Sequence, residues 1–399
     1  MLLERLADHS TWEEFLQYKL SHGLLDRREE AFLREFISKR GYTQIAEGLA
    51  SGSYAFAPPK RSEVSKLGSG KKRVVYTFPE AENAVLKALA YQLYRYDDRL
   101  APNCYAFRRH IGARRAFTDI AHDPETASLW CFKADISNYF NSIDVSLLEG
   151  ILRETIDDDE PLLRLLLALL GDGRSEWLGE IICEQKGVMA GTPISPFLAN
   201  LYLKEMDEYF CERGVRYARY SDDIIIFDTE ERIKEHITAY RGFIEKYRLR
   251  SNPEKELVSA PGEAWSFLGF EFHAGTIDIS RVTLAKLMGK IRRQARSLRR
   301  WMLRKGAEPE RALRAFNRKF NRKFYSADSG RELCWARWFF PLINTDKSLH
   351  VIDAYMQQYQ RYIVSGKQNK ASYELAPYEL LRRCGYRPLV AAYYTRAGK

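Results

Sequence analysis

The chain has 399 residues, 45% of them hydrophobic, and its 63 Lys and Arg against 53 Asp and Glu give a net charge of +10. This length allows a sizeable buried core, and the positive excess favours a polyanionic partner. Its six cysteines lack Cys-x-x-Cys spacing, which argues against a zinc knuckle or a disulfide framework. Without a secretory start or a transmembrane-length apolar run, we expect a cytoplasmic protein and no membrane partner.

Three regions follow from the pattern along the chain. Residues 1–58 carry alternating charges and are predicted to form a helical extension. The Ala57-Pro58-Pro59 stretch leads into a region of mixed strands and helices, 59–280. A basic helical region, 281–399, completes the chain, and its many aromatic residues are expected to be mainly core.

A basic segment lies early in the second region. Lys71, Lys72 and Arg73 follow the turn residues Gly68-Ser69-Gly70 and precede the apolar Val74-Val75-Tyr76. The pattern predicts a hairpin that presents cations to a triphosphate, with Arg able to bind bidentately and Lys acting as a point charge. The alternative is that residues 71–73 bind no ligand and only keep a surface loop soluble.

Residues 129–136 alternate like a strand, with Trp130, Phe132, Ala134 and Ile136 on one face. Asp135 ends this strand. A carboxylate at that place can hold a metal ion, or it can cap the next helix or close a turn.

Two further segments are read as helices. The leucine-rich run 162–170 is too short to cross a membrane and is predicted to be a buried helix. Gly191, Pro193 and Pro196 precede the helical segment 197–203 and predict a tight loop that brings backbone close to a ligand. An ordinary helix start is the alternative.

Tyr220-Ser221-Asp222-Asp223 lies between two strand-like flanks, which predicts a hairpin with both carboxylates at its turn. Oxygen ligands of this kind suit Mg²⁺ shared with substrate phosphates. Together with Asp135, the pair could hold two metal ions about 3.5–4 Å apart, as in-line nucleotidyl transfer requires. Asp-Asp in a solvated turn is the alternative.

Taken together, these segments resemble the motifs of reverse transcriptases. Residues 132–140 are similar to polymerase motif A, 191–196 to motif B and 220–223 to motif C. Asn252-Pro253-Glu254-Lys255 resembles motif D, and Phe267-Leu268-Gly269-Phe270 resembles the primer-grip motif E. Residues 71–73 and 105–108 resemble fingers motifs of group II intron-type enzymes, so the likeness covers most of residues 60–275.

The resemblance implies an α+β, right-hand polymerase: fingers and palm with a small antiparallel sheet, then an α-helical thumb and C-terminal region. It implies an RNA-directed DNA polymerase that adds dNTPs to a 3′-hydroxyl with two Mg²⁺ ions, or Mn²⁺ in their place. The implied catalytic residues are Asp135, Asp222 and Asp223, and the implied metal site adds Ile136.

The same resemblance implies which residues bind the nucleotide and which bind the primer and template. Phe140 matches the position that crowds a ribose 2′-hydroxyl, and Lys255 is expected to assist the leaving pyrophosphate; an ordinary core role for Phe140, with Tyr139 exposed, is the alternative. The nucleotide-binding set is Lys71, Lys72, Arg73, Phe140, Gly191, Pro193 and Lys255. The primer- and template-binding set is Phe267, Leu268, Gly269, Arg292, Arg296, Arg299 and Arg300.

A basic amphipathic helix is predicted between residues 284 and 305, where cations alternate with an apolar face and no acidic residue occurs. It resembles a thumb helix that follows a duplex backbone. A second basic cluster lies at residues 311–323. A solvated charged face and a membrane-surface helix are the alternatives.

Two departures from the family pattern stand out: Ala190 replaces the Gln that usually precedes Gly191, and Ala106 stands where Gly is common. The first puts faithful templating in doubt, and the second suggests a lineage apart from intron maturases. We expect no RNase H or HNH domain, and the likeness to stand-alone bacterial enzymes implies a role in antiviral defence.

The implied partners are an RNA template, the nascent DNA and dNTPs, with a dedicated non-coding RNA or a partner protein as a further candidate. Three alternatives remain: a retron or diversity-generating reverse transcriptase, a template-independent nucleotide polymerase, and a non-catalytic RNA-binding scaffold.

Overall fold

The computed structural model describes residues 1–65, 72–325 and 334–397. The chain divides into two compact units, Met1–Pro261 and Gly262–Lys399. The sequence pattern places the helical thumb from residue 281, and the structure shows that a small sheet precedes those helices in the second unit. The three-region division remains a prediction.

The first unit opens with four helices, in keeping with the helical character predicted for residues 1–58. They are α1 (Leu2–Arg5), α2 (His9–Ser21), α3 (Arg27–Ser38) and α4 (Thr43–Ser51). α3 begins where Asp26 accepts hydrogen bonds from the backbone N–H groups of Arg28 and Glu29, each at 2.9 Å. The buried indole of Trp12 stacks on Tyr42 with ring centroids 4.6 Å apart, so the helices share a packed core.

Eight strands of the first unit form two four-stranded sheets. The strands are β1 (Lys60–Ser65), β2 (Lys72–Thr77), β3 (Trp130–Asp135), β4 (Arg174–Trp177), β5 (Glu180–Cys183), β6 (Arg216–Tyr220), β7 (Asp223–Asp228) and β8 (Leu257–Ser259). One sheet has the order β2-β1-β4-β5 and contains the basic hairpin β1–β2. The other has the order β6-β7-β3-β8, is antiparallel throughout and carries the three aspartates.

Helices surround the antiparallel sheet and complete one hydrophobic core. They are α5 (Glu80–Gln92), α6 (Ala113–Ala121), α7 (Tyr139–Ser142), α8 (Val145–Thr155), α9 (Glu160–Gly171), α10 (Ser195–Tyr202), α11 (Lys204–Glu212) and α12 (Glu230–Lys246). α12 packs on β3 and β7, and the rings of Phe132 and Tyr240 meet edge to face. The leucine-rich run lies in α9, where Leu162, Leu163 and Leu166 are buried as predicted.

The second unit starts with a three-stranded antiparallel sheet and continues as helices. The strands are β9 (Trp265–Phe267), β10 (Phe270–His273) and β11 (Thr276–Ile279). The helices are α13 (Arg281–Lys305), α14 (Pro309–Tyr325), α15 (Trp335–Trp338), α16 (Lys347–Ser365), α17 (Ala371–Leu375), α18 (Tyr378–Arg383) and α19 (Leu389–Ala397). Trp335, Phe339, Tyr386 and Tyr393 are buried, so much of the aromatic content of this unit is core, as expected.

The predicted α+β class, with small antiparallel sheets and a helical C-terminal region, is confirmed. All six cysteines are free thiols, as their spacing indicates. Across the described residues, the structure contains no helix of the length and hydrophobicity that a membrane crossing needs.

Candidate active site

The antiparallel sheet brings the three aspartates together. In the pairing of β3 with β7, Asp135 lies opposite Asp223. The turn between β6 and β7 holds Ser221 at φ +62°, in the left-handed region, and this conformation places Asp222 between the two strands. The N–H of Ile136 donates to the carbonyl oxygen of Asp222 at 3.0 Å. The end of one strand is therefore fixed to the turn that carries the second carboxylate.

Partial burial makes the ionised forms of these neighbouring carboxylates unfavourable when no cation is bound. Burial raises the pKa of Asp222, and the charge of Asp135 raises it further. Burial likewise raises the pKa of Asp223, with smaller contributions from Asp222 and Asp135, while Lys133 opposes the shift. Carboxylates that raise one another's pKa in this way form a site that favours a bound cation.

The donor set fits Mg²⁺ or Mn²⁺. Among the described residues, no group of three His, Cys, Asp or Glu side chains forms a ready-made metal site. Mg²⁺ does not require one, because it keeps several water ligands and is held by one or two carboxylates together with substrate phosphates. Asp135 and Asp222, whose charges influence each other, match that requirement.

Lys255 contacts Asp135 directly. Its ammonium lies 2.5 Å from Oδ2 of Asp135, and its side chain is 55% exposed. The turn Pro253–Lys255 is attached to the strand end by a hydrogen bond from the N–H of Asn252 to the carbonyl of Asp135, at 2.8 Å. The structure thus places Lys255 beside the carboxylate of Asp135, and its role at a pyrophosphate remains a prediction.

The basic hairpin contributes one cation to the same region. The charge of Arg73 makes a small contribution that lowers the pKa of Asp222, after the larger ones of burial, Asp135 and Lys255. Lys72 instead forms an ion pair with Glu63 on the paired strand, at 2.7 Å. Lys71 and the preceding glycine turn lie outside the described residues.

The predicted sugar-contacting residue is accessible and its neighbour is not. Tyr139 is buried, with its hydroxyl donating to the carbonyl of Ala199 at 2.5 Å. Phe140 is only half-buried. The expectation that Tyr139 is the exposed ring is therefore wrong, whereas Phe140 packs at the margin of the core and its contact with a sugar remains a prediction.

Gly187 allows its own segment of backbone to lie against the backbone of Phe140. The sequence analysis did not identify this residue. The N–H of Val188 donates to the carbonyl of Phe140 at 2.9 Å. A Cβ atom at Gly187, whose φ is +53°, would lie 2.3 Å from that carbonyl oxygen. Only glycine fits here. A glycine four residues before the recognised loop is the single hint that the sequence offers.

The loop of Gly191 and Pro193 packs against the basic hairpin. The N–H of Tyr76 donates to the carbonyl of Ala190 at 2.9 Å. Gly191 has φ +101°, and a Cβ there would lie 3.2 Å from the carbonyl oxygen of Tyr76. The loop therefore makes a tight approach to the hairpin backbone, and its approach to a ligand remains a prediction. Pro193 is half-buried within this loop, and its contact with a nucleotide remains a prediction.

A buried ion pair supports the turn and was also missed. Arg219 and Asp207 are both fully buried, and Nε of Arg219 donates to Oδ1 of Asp207 at 2.8 Å. The same guanidinium donates to the carbonyl of Ser221 at 3.2 Å. Tyr217 adds a hydroxyl donor to Asp207 at 2.7 Å. An arginine in a strand directly before the turn signals this role, but the strand pattern does not identify its partner.

In the second unit, the predicted primer-grip residues form a tight hairpin. Leu268 and Gly269 have φ of +50° and +92° and make the two-residue turn between β9 and β10. Two positive φ values in succession are typical of the hairpin turn that matches strand twist. Phe267 is fully buried, so Leu268 and Gly269 are the more accessible part of this motif.

The predicted thumb helix is α13, with Leu287, Ile291 and Ala295 buried. Arg292, Arg296 and Arg300 are exposed on its other side. Arg299 differs, because its guanidinium donates to the carbonyls of Tyr362, Ile363 and Val364 at 3.0–3.4 Å. These bonds cap the end of α16, so Arg299 already has partners, whereas the three exposed arginines present a continuous cationic face.

The second basic cluster lines a groove on α14. Arg314, Arg318 and Arg322 follow one another at four-residue intervals, and Arg387 lies across from them with its guanidinium 4.7 Å from the ring centre of Tyr325. The groove has a volume of about 570 Å³. Within the part of the chain that the structure describes, Arg318 and Arg322 have no ion-pair partner. The groove is therefore a cationic surface open to an anion.

Comparison with known proteins agrees with this geometry. Residues 59–272 match the family described as "Reverse transcriptase (RNA-dependent DNA polymerase)". The protein YkfC of Escherichia coli K12 is 24% identical over 266 residues, covering 56% of this chain and 69% of YkfC. The group II intron-encoded protein LtrA of Lactococcus lactis is 27% identical over 215 residues, covering 51% of this chain and 33% of LtrA. The retron Ec83 reverse transcriptase of Escherichia coli is 31% identical over 111 residues, covering 27% of this chain and 34% of that protein.

Proposed function

The chain belongs to the reverse transcriptase (RNA-dependent DNA polymerase) family, and we propose that it copies RNA into DNA by adding deoxynucleotides to a 3′-hydroxyl. The observation that carries this proposal is the clustering of Asp135, Asp222 and Asp223 where β3 meets the β6–β7 turn. Family membership gives the reaction class, and the carboxylate cluster gives the chain the residues that the reaction needs.

Asp135, Asp222 and Asp223, with the backbone of Ile136, are the residues that would hold two Mg²⁺ ions, or Mn²⁺ in their place. When bound, such ions stabilise the attacking and leaving oxygens of an in-line displacement. The chain's own contribution is positioning: the strand pairing and the bond from Ile136 to Asp222 fix the carboxylates before substrate arrives.

The cations beside the cluster would bind the triphosphate. Arg73 already acts on Asp222, and its planar guanidinium can hold phosphate oxygens bidentately. Lys72 would leave Glu63 to do so, and Lys71 belongs to the same predicted set. Lys255 can turn from Asp135 towards the leaving pyrophosphate, because its side chain is more than half exposed.

Phe140 would select the sugar. Phe140 follows the end of β3 by five residues, its ring is half-exposed, and its backbone carbonyl is held by the N–H of Val188. A rigid apolar ring beside the sugar excludes a 2′-hydroxyl by steric conflict and leaves a deoxyribose undisturbed. Gly191 and Pro193 would form the wall of the nucleotide site that lies opposite Phe140, near the templating base pair.

The second unit would bind nucleic acid. The exposed Arg292, Arg296 and Arg300 suit the phosphates of a primer–template duplex, and the hairpin of Phe267, Leu268 and Gly269 suits the primer terminus. Arg299, although in the predicted set, would act by holding α13 against α16. Such phosphate contacts are independent of sequence and sensitive to salt.

A templated extension assay tests the proposal. Purified protein with Mg²⁺, dNTPs and a DNA primer annealed to RNA should give DNA whose sequence follows the template. A variant with Asp222→Asn and Asp223→Asn should give none. Products formed without template after nuclease treatment would instead support a template-independent polymerase.

The biological role follows from the family likeness and is proposed as antiviral defence in a bacterial cytoplasm. An expressing strain should resist some phages in a broad panel, and the double aspartate variant should not. A retron-type enzyme is the second candidate, because the chain is similar to the retron Ec83 reverse transcriptase. Copurification of one structured RNA that primes its own copying would favour the retron; the absence of any bound RNA would favour a free template.

A further inference from the structure

Phe107 combines two unusual properties. Its φ is +58°, in the left-handed region that bulky side chains avoid, and its apolar side chain is 39% exposed. Neither property contributes to packing stability. A strained conformation persists only where its surroundings over-determine it, and such positions cluster at functional sites.

The backbone on both sides of Phe107 is firmly attached to the catalytic sheet and its helices. The N–H of Tyr105 donates to the carbonyl of Arg219 at 2.9 Å, directly before the β6–β7 turn. Nδ2 of Asn200 donates to the carbonyl of Ala106 at 2.7 Å. Beyond it, the guanidinium of Arg108 donates to the carbonyls of Asp97, Ala101 and Cys104 at 2.6–3.1 Å. These bonds hold position 107 in its strained form.

The ring that this strain positions lies between two aromatic residues of the active site. Its centroid is 6.2 Å from that of Phe140, with the planes at 76°, an edge-to-face contact. It is 6.0 Å from the ring of Tyr220, the residue that begins the catalytic turn. Phe107 therefore connects the sugar-selecting ring to the hairpin that carries Asp222.

We propose that Phe107 is a positioning residue for sugar selection, whose ring supports Phe140 from the side and keeps it against the position of a ribose 2′-hydroxyl. The inference rests on the proposed function, because it needs Phe140 to act on a nucleotide. Without the ring of Phe107, Phe140 can turn into the space left behind, and the exclusion of ribonucleotides weakens.

Phe107→Gly is the informative variant. Glycine adopts positive φ without strain, so the ring is removed while the backbone conformation is favoured. Phe107→Asn is a second variant, because asparagine tolerates the same region. Leu178→Gly is the matched control: Leu178 has φ +54° and is 86% exposed, but it lies in the β4–β5 turn. Thermal unfolding of each variant establishes that the fold is kept.

The measurement is the ratio of kcat/KM for a dNTP to that for the matching rNTP, on one primed RNA template. We expect Phe107→Gly and Phe107→Asn to lower this ratio about three- to tenfold, the range that one aromatic pair supports. Leu178→Gly should leave the ratio as it is. Phe140→Ala should lower it further, and adding Phe107→Gly to Phe140→Ala should have little additional effect, since both act through one ring.

An unchanged ratio in Phe107→Gly, in a protein where Phe140→Ala changes it, overturns the inference and leaves the proposed function intact. Independent, multiplicative effects of the two substitutions also overturn it, because Phe107 would then act without Phe140. If the wild-type protein incorporates no nucleotide, or if Phe140→Ala leaves the ratio unchanged, the premise in the proposed function fails and the inference fails with it.

Discussion

The ammonium of Lys255 lies 2.5 Å from Oδ2 of Asp135, and this contact joins the turn Pro253–Lys255 to the end of β3. Lys255 thus occupies part of the space in which a divalent cation would contact Asp135. We therefore expect the two cations to compete for one carboxylate, and Lys255 to become available to the pyrophosphate when it leaves Asp135.

This competition predicts that Lys255→Gln improves the use of Mg²⁺ but slows the reaction. The Mg²⁺ concentration that gives half-maximal extension should fall, because the competing ammonium is gone. The kcat should also fall, by about tenfold or more, because the leaving group loses a nearby cation. Lys234→Gln, at an exposed lysine paired with Glu230, serves as the control and should change neither quantity. A higher Mg²⁺ requirement in Lys255→Gln would show that the lysine does not compete.

The raised pKa of Asp222 predicts that Asp222→Asn stabilises the fold while abolishing activity. Because burial and Asp135 raise this pKa above 3.8, the ionised carboxylate destabilises the folded state once the pH exceeds that value. In the absence of divalent cations at neutral pH, the melting temperature of the variant should therefore rise. About 1 kcal/mol corresponds to roughly 2–4 °C in a protein unit of this size. The gain should disappear as the pH falls towards 3.8.

Asp172→Asn is the matched control for this effect and should act in the opposite direction. Its hydrogen bond with Arg174 lowers the pKa of Asp172, so the ionised form stabilises the fold above the pKa of the unfolded chain. The Arg174 side chain is more than half exposed, so the loss should be small. A melting temperature that falls in Asp222→Asn as it does in Asp172→Asn would contradict the electrostatic account of the cluster.

The buried pair of Arg219 and Asp207 predicts a large stability loss when one partner is removed. Asp207→Asn leaves the guanidinium buried without its counter-ion and should cost about 3–5 kcal/mol in denaturant unfolding. Glu149→Gln, which breaks the exposed pair with Arg153, should cost less than about 1 kcal/mol. The double variant Asp207→Leu and Arg219→Met should recover much of the loss. Comparable small losses in Asp207→Asn and Glu149→Gln would show that the pair does not support the turn.

The groove on α14 predicts a change in salt dependence. Arg318→Gln with Arg322→Gln removes two exposed cations without known partners in the described chain. The slope of log affinity for RNA against log salt should become shallower by about 0.7 per lost contact for a single strand, or about 0.9 for a B-form DNA duplex. Filter binding across a salt series measures this slope. Arg153→Gln, on α8, should leave it unchanged, and an equal slope in both variants would exclude the groove from binding.

Sequence reasoning predicted the centre of this site because its signals are local. Asp135 ends an alternating strand, and Asp222 and Asp223 interrupt two strand-like flanks, so a hairpin beside a strand follows from short segments. The helix α13 was predicted for the same reason, since its apolar spacing repeats over 25 residues. Pairing of these strands in one sheet then brings the carboxylates together, because it leaves few ways to arrange them.

The two missed residues, Gly187 and Arg219, and the observed partners of Arg299 depend on contacts between distant segments. Gly187 matters because of the carbonyl of Phe140, and Arg219 matters because of Asp207 on another element. Arg299 looks like its neighbours on α13 but meets the end of α16. Spacing along the chain shows which face a residue occupies and not what packs on that face, and these roles therefore require the folded structure.

The most direct test of the account is extension of a DNA primer on an RNA template by the wild-type protein, with Mg²⁺ and dNTPs, beside the Asp222→Asn and Asp223→Asn double variant. Thermal unfolding confirms that both proteins are folded. The account predicts template-directed DNA from the wild-type protein and none from the variant. Equal synthesis by the two proteins, or wild-type products that ignore the template sequence, would contradict it.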